Sequence, residues 1–212
     1  MAKLLSAMLS GTVVSLEIFF LTVLFSVPLA LPIALARRSS SKLIRGPVSL
    51  YVLIMRGTPL ILQIIFVYFA PYYLIRVSYD RFTAVIVAFV INYAAYFAEI
   101  YRGGIDAVPK GQWEAAKVLG LSPSQTFIRV ILPQVVRRIL PASSNEVMTL
   151  VKDTALAQTI GVAELFRAAQ NASAREFSTL PIFIAGVFYF VMNWGVTVVF
   201  DLAERKMAYY KI

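Results

Sequence analysis

The chain has 212 residues, of which 59% are hydrophobic, and carries a formal net charge of +9 with a mean hydropathy of +0.76. That apolar share exceeds the roughly 45–50% of an ordinary soluble domain and points to a membrane protein. The sequence contains neither cysteine nor histidine, which excludes disulfide frameworks, thiolate chemistry, imidazole catalysis and the commonest metal ligands. The basic excess fits either nucleic-acid binding or cytoplasmic loops of a membrane protein, and its distribution decides between them.

The first apolar run, about Thr12 to Ala36, is long enough to cross hydrocarbon. The basic cluster Arg37, Arg38, Lys42 and Arg45 follows it and only Lys3 precedes it, the pattern of a retained span rather than a cleaved signal. A second span lies within Pro47 to Tyr73 and is interrupted by Arg56-Gly57-Thr58-Pro59, so a short leading helix should precede the span proper. After a polar link containing Arg76, Asp80 and Arg81, a third run covers about Phe82 to Tyr101.

The largest polar connection, about 102–138, reads as two short helices around a turn. Gly111 to Leu119 holds good helix formers, Gly120 is placed as a left-handed C-terminal cap, Ser122-Pro123 restarts a helix, and Pro133 limits it downstream. A solvated connector would usually be shorter. A DNA-binding helix-turn-helix would need a supporting globular domain, and this hairpin is held between two spans. A docking element for a cytoplasmic partner fits better, with Ala115 and Ala116 permitting close approach and Glu114 offering an anchor.

The next segment, Ile139 to Ile160, carries Glu146, Lys152 and Asp153 together with Ser143, Ser144, Asn145 and Thr154. Three central charges cost roughly 8–10 kcal/mol on insertion scales, and about eight aliphatic and Met side chains return only about 4 kcal/mol. If it crosses the membrane, it must do so inside a bundle or beside a watery path. A last apolar run, about Leu180 to Phe200, precedes Arg205, Lys206 and Lys211.

Five spans with an external N-terminus and cytoplasmic C-terminus place thirteen of the 20 Lys and Arg on the cytoplasmic side and five outside, as the positive-inside rule asks. Four spans would put the Arg205 tail outside. No internal repeat or soluble domain is visible, so residues 1–212 read as one all-α integral membrane domain.

Glu114-Ala115-Ala116, three residues, Gly120, nine residues, Val130, one residue, then Leu132-Pro133 resembles the EAA loop of ABC-importer permeases. Val130 stands where that pattern has isoleucine, keeping an apolar β-branched contact. Arg56-Gly57-Thr58-Pro59, Ala98 to Gly104, Lys110 to Trp113 and Leu150 to Thr154 look like the polar amino-acid branch (histidine, glutamine, arginine, glutamate type). The resemblance runs from about Gly11 to Arg205. It implies that Glu114, Ala115, Ala116, Gly120 and Pro133 dock a cytoplasmic ABC ATPase dimer, that a second permease, identical or homologous, completes the path, that an extracytoplasmic solute-binding protein delivers the solute, and that the chain sits as a multi-pass protein in a bacterial inner membrane. The chain has no G-x-x-x-x-G-K-[ST] loop to cradle ATP phosphates, and no cofactor is expected.

Two spans carry polar residues at helical spacing: Asn92, Tyr96 and Glu99, and Ser143, Glu146, Thr149 and Asp153. These either line a solute path or pair across the bundle, for instance Glu146 or Asp153 with Lys152 or Arg56; Glu99, near the cytoplasmic end, could equally serve gating or loop support. Asn92, Glu146 and Asp153 are the candidates for binding a zwitterion, and the excess of acids favours basic or amide substrates. The aromatic clusters, such as Phe66, Tyr68 and Phe69, read as packing and lipid contact. An intramembrane enzyme would need a nucleophile–base or metal set that is not recognisable here. A permease for another small solute, or an ATPase-independent channel or scaffold, are the other readings.

Overall fold

The computed structural model describes residues 2–207, which are helical with no strand among them. α1 (Ala2–Arg37) is longer than its apolar run alone suggests and contains Pro28 and Pro32. It lies along α4 (Arg81–Asp106), the central helix of the bundle. Ala30 and Ala34 of α1 and Ala84, Ala88 and Ala98 of α4 share one buried cluster with Ile18, Phe89, Tyr93 and Phe97. Small side chains let two helix backbones approach where lipid supplies no hydrophobic drive.

α2 (Lys42–Gly57) and α3 (Leu60–Ile75) meet at a bend of 112°. Thr58 is extended (φ −120°, ψ 146°) because Pro59 disfavours the helical region for the residue before it. The interruption expected at Arg56 to Pro59 is therefore a broken helix pair. Among the described residues three helices, α1, α4 and α9 (Leu180–Met207), are long and apolar enough to cross a membrane, and α2 with α3 makes up to four.

Gln63 and Asn92 secure the bend. Gln63 Nε2 donates to the carbonyls of Met55 (3.0 Å) and Thr58 (3.2 Å) and to Thr58 Oγ1 (2.8 Å). Asn92 Nδ2 donates to Met55 O (3.1 Å) and Gln63 Oε1 (2.9 Å). A helix break inside hydrocarbon leaves carbonyls that must find donors in the protein, and two buried amides supply them.

The hairpin follows α4: α5 (Lys110–Val118), the single turn α6 (Pro123–Gln125) and a π-helical turn, Thr126–Ile131. Pro133 does not end the helix, contrary to expectation; α7 (Leu132–Asp153) runs straight through it. The wide turn just before is the reason, since Leu132 N–H reaches back to Phe127 O, and a register with one extra residue absorbs the donor and the space that proline removes. α7 continues into a 3₁₀ turn, Thr154–Ile160.

α8 (Leu165–Glu176) was not anticipated from the sequence. Its N-cap is Glu164, fully buried, whose carboxylate accepts from the amides of Phe166 (2.7 Å) and Arg167 (2.7 Å) and from Tyr189 Oη of α9 (3.0 Å). Gly11 of α1 lies against this junction so closely that a Cβ would stand 2.8 Å from Leu165 Cα.

Candidate functional site

The hairpin is built by local capping chemistry. Gly120 has φ +74°, and the amides of Gly120 and Leu121 donate to Lys117 O (3.0 Å) and Ala116 O (3.1 Å), a Schellman closure of α5. Ser122 and Gln125 form a reciprocal capping box that starts the second arm. A small apolar cluster of Ile105, Val108, Ile131 and Val135, with Trp113, Phe127, Val130 and Ile139 against it, seats the hairpin on the junction of α4 and α7. Val130 keeps its apolar contact there. Gly104 makes that junction possible, for a Cβ would fall 2.3 Å from Ile139 Cγ2.

Of the residues singled out for docking, Glu114 and Ala115 are exposed on α5, Ala116 is buried against the second arm, Gly120 closes the turn, and Pro133 lies past the π turn in α7. The tip adds an apolar set that the sequence reading missed: Val118 is 87% exposed, Leu119 78% and Ile128 61%. These side chains sit on otherwise polar helices with nothing among the described residues to cover them, and such exposed apolar patches mark interaction sites. The signal was present in the sequence as aliphatic residues at the very end of a polar helix.

The residues singled out for a solute path fall into three environments. Asn92 is buried and spends its amide on the α2–α3 bend. Glu99 accepts from Arg37 (2.6 Å) and from Arg102, while Asp106 accepts from Arg38 (2.8 Å) and Arg102 (2.7 Å). This five-residue network ties the end of α1 to the end of α4. Tyr96 lies under the guanidinium of Arg56, 5.3 Å from its ring centre. Arg56, Arg37 and Glu99 line a recess of about 460 Å³ with Ser49, Leu53 and Gly57.

Glu146 and Asp153 lie two turns apart on one face of α7, both half-buried. The suggested pairing with Lys152 or Arg56 is not what the structure shows: no ion pair within 4.0 Å involves either carboxylate among the described residues. Asp153 instead accepts from Tyr93 Oη at 2.7 Å. Thr149, between them, is exposed and bonds back to Asn145 O. Tyr93 and Gln63 were not singled out from sequence, because a tyrosine and a glutamine in an apolar run carry no periodic signal of their own. Among the described residues no group of three or more acidic side chains could hold a metal ion.

The family model described as "Binding-protein-dependent transport system inner membrane component" matches residues 26–209. The chain is 40% identical over 202 residues to the L-cystine transport system permease protein TcyB of Bacillus subtilis, covering 94% of this chain and 86% of the relative. It is 36% identical over 200 residues to the arginine transport system permease protein ArtQ of the same organism, covering 94% and 91%. Among solved structures, a crystal structure of an amino acid ABC transporter with histidines superposes with a TM-score of 0.89 at 37% identity, covering 97% of this chain and 96% of that one. An inward-facing methionine ABC transporter shares the fold, with a TM-score of 0.77 at 19% identity.

Proposed function

The chain belongs to the inner-membrane components of binding-protein-dependent transport systems, and from that membership we propose that it forms the path of an ATP-driven importer for polar amino acids. Relatives carry names for cystine, glutamine, arginine and octopine transport, all amino acids or compounds derived from them. The proposal takes residues 1–212 as one domain with five crossings, α7 being the fourth and α9 the fifth, the N-terminus outside and the hairpin and C-terminus cytoplasmic. α7 has the charges to fail a hydropathy test and the packing to be tolerated inside a bundle. ATP hydrolysis belongs to a separate ATPase dimer. The hairpin tip, with Glu114, Ala115, Val118 and Leu119 outward, docks on it, while Ala116, Gly120 and Pro133 hold the shape that transmits its movement. A second permease, identical or homologous, closes the path, and an extracytoplasmic binding protein delivers the solute.

One observation carries the solute reading: Glu146 and Asp153 stand half-buried with no cation among the described residues within 4.0 Å, whereas Glu99 is paired twice. Unpaired carboxylates at such a depth are costly and call for a cationic group from elsewhere. An ammonium or basic side chain supplies it, docking on Glu146 and on the oxygen of Asp153 that Tyr93 leaves free. The guanidinium of Arg56, stacked on Tyr96 and without an acidic partner among the described residues, suits the carboxylate of the same zwitterion. Asn92 then acts as a brace for the bend that presents Arg56.

The test is uptake by the chain reconstituted with its ATPase and binding protein, screened against labelled amino acids. Asp153→Asn keeps the tyrosine hydrogen bond and removes the charge. It should raise the KM for transport by about tenfold or more with basal ATP hydrolysis unchanged. An unaltered KM in both Asp153→Asn and Glu146→Gln would overturn this site, and labelling of a cysteine at position 114 from the outer side would overturn the topology.

A further inference from the structure

At the hairpin end of the bundle, between α7 and α9, a polar recess of about 370 Å³ is lined by Arg137, Leu140, Pro141, Glu204 and Arg205. Arg137 lines this recess, and one nitrogen of its guanidinium is buried without a hydrogen-bond partner among the described residues. Among the described residues none of Arg137, Arg205 and Glu204 takes part in an ion pair. A buried charged donor without an acceptor is costly, so the recess is suited to receive one. Glu204 leaves the recess with one net positive charge, which matches a monoanion such as a phosphodiester better than a doubly charged phosphate.

Leu140 also lines the adjoining cavity of about 560 Å³, an apolar space between α1, α4, α7 and α9 walled by Val27, Leu31, Phe97, Val136 and Phe200. One side chain thus forms the boundary between an anion-seeking recess and an apolar chamber. Outward on α9, Val199 and Leu202 are exposed just before Arg205 and Lys206, the succession of hydrocarbon level and headgroup level at a membrane face. An occupant that satisfies both compartments must join an anionic oxygen group to an apolar chain.

We propose that an anionic phospholipid binds in this groove, its phosphate oxygens on Arg137 and Arg205 and one acyl chain passing Leu140 into the apolar cavity. The chamber also touches Phe127, Leu132 and Val135, and Phe127 and Val135 belong to the cluster that seats the hairpin. The lipid would therefore fill space directly beneath the ATPase-docking element. The inference rests on the membrane reading of the chain and is independent of which solute is carried.

The intact permease–ATPase complex, delipidated in detergent, is titrated with dioleoyl phosphatidylglycerol, dioleoyl phosphatidylcholine, short-chain dihexanoyl phosphatidylglycerol and inorganic phosphate, with bound molecules counted by native mass spectrometry. The expected result is saturable binding of one dioleoyl phosphatidylglycerol per permease, at least about tenfold tighter than phosphatidylcholine or the short-chain lipid, and weakened by about tenfold or more in the R137Q/R205Q complex. The lipid series uses the unaltered complex, so it decides the matter even where the double variant does not fold. Equal binding of phosphatidylcholine, or unchanged binding in a folded double variant, would overturn the proposal. Inorganic phosphate binding as tightly as the lipid would make this a plain anion site. A side chain of another subunit filling the recess in the lipid-free assembly would make it a protein contact. Loss of amino-acid uptake would leave these binding results untouched, so the two readings fail separately.

Discussion

Replacing Glu99 with glutamine separates gating from solute contact. The carboxylate holds Arg37 of α1 at 2.6 Å and Arg102 of its own helix. Glutamine offers one acceptor oxygen where the carboxylate offers two, and no charge, so one guanidinium loses its acceptor and the other keeps a weaker bond in which only the donor is charged. Hydrogen bonds to charged groups contribute about 1.5–3 kcal/mol and neutral ones about 1 kcal/mol. The Arg37 and Glu99 side chains are 22% and 19% exposed, and solvent screening reduces the expected loss to about 1–2 kcal/mol. If the network holds the resting arrangement of the α1 and α4 ends, this shift corresponds to about 5- to 30-fold in a two-state equilibrium. Glu99→Gln should then raise ATP hydrolysis in the absence of binding protein by up to that factor, with the KM for uptake unchanged. Arg37→Gln should produce much of the same rise, and the double variant less than the sum, because both remove one contact. A raised KM with unchanged basal hydrolysis would show Glu99 in contact with solute and refute the gating role of the network.

Gly104→Ala forces a Cβ to within 2.3 Å of Ile139 Cγ2 and 3.2 Å of Val135 Cγ1, and should lower stability by about 1–3 kcal/mol; Ile139→Ala in the same chain should recover part of the loss in detergent thermal unfolding, whereas additive losses would contradict the close approach. Gly120→Ala places a side chain at φ +74° and should cost the hairpin about 1 kcal/mol, read as a several-fold faster release of the ATPase from the purified complex. Asp80 caps α4 by accepting from Thr83 N at 3.0 Å, and hydrogen bonds from the Thr83 side chain and backbone, the largest causes, hold its carboxyl below the ordinary carboxylate range. Since the folded value is the lower one, the cap contributes fully above the unfolded pKa and is lost as pH falls through the folded value. The protection of the Phe82 to Ala84 amides, taken relative to their intrinsic exchange rate at each pH, should therefore fall in acid, and an Asp80→Ala chain should lack that fall.

Features whose chemistry closes within a few residues were legible in the sequence. Gly120 and the Ser122-Pro123 start each bond to atoms at most five positions away, so residue type was enough to place the turn. The break at Gly57 to Pro59 was legible for the same reason. Pro133 misled because the compensation lies upstream, in the π turn at Thr126–Ile131, and nothing in residue type announces a five-residue register. α8 was missed although its cap is local, Glu164 accepting from Phe166 and Arg167 N–H, because the distant donors that let a glutamate be buried there, Tyr189 of α9 and Ser15 of α1, are not readable from residue type. A carboxylate in an apolar setting looks like a site until the donors that satisfy it are known.

The same distinction governs the intramembrane polar residues. Asn92, Tyr96 and Glu99 follow each other at i, i+4 and i+7, and spacing alone treats them as equivalent members of one polar face. Counting partners separates them: Asn92 has given both amide protons to the bend, Glu99 has accepted from two guanidiniums, and Tyr96 lies beneath Arg56. Hydrogen-bonding capacity that is already spent stabilises the bundle and is unavailable to a passing solute without a matching loss. Among the described residues Glu146 and Asp153 have no ion-pair partner within 4.0 Å, and neither has Arg56. On the proposed function, groups of opposite sign without an ion-pair partner are those free to hold the two ends of a zwitterion, whereas residues that pair with each other are not.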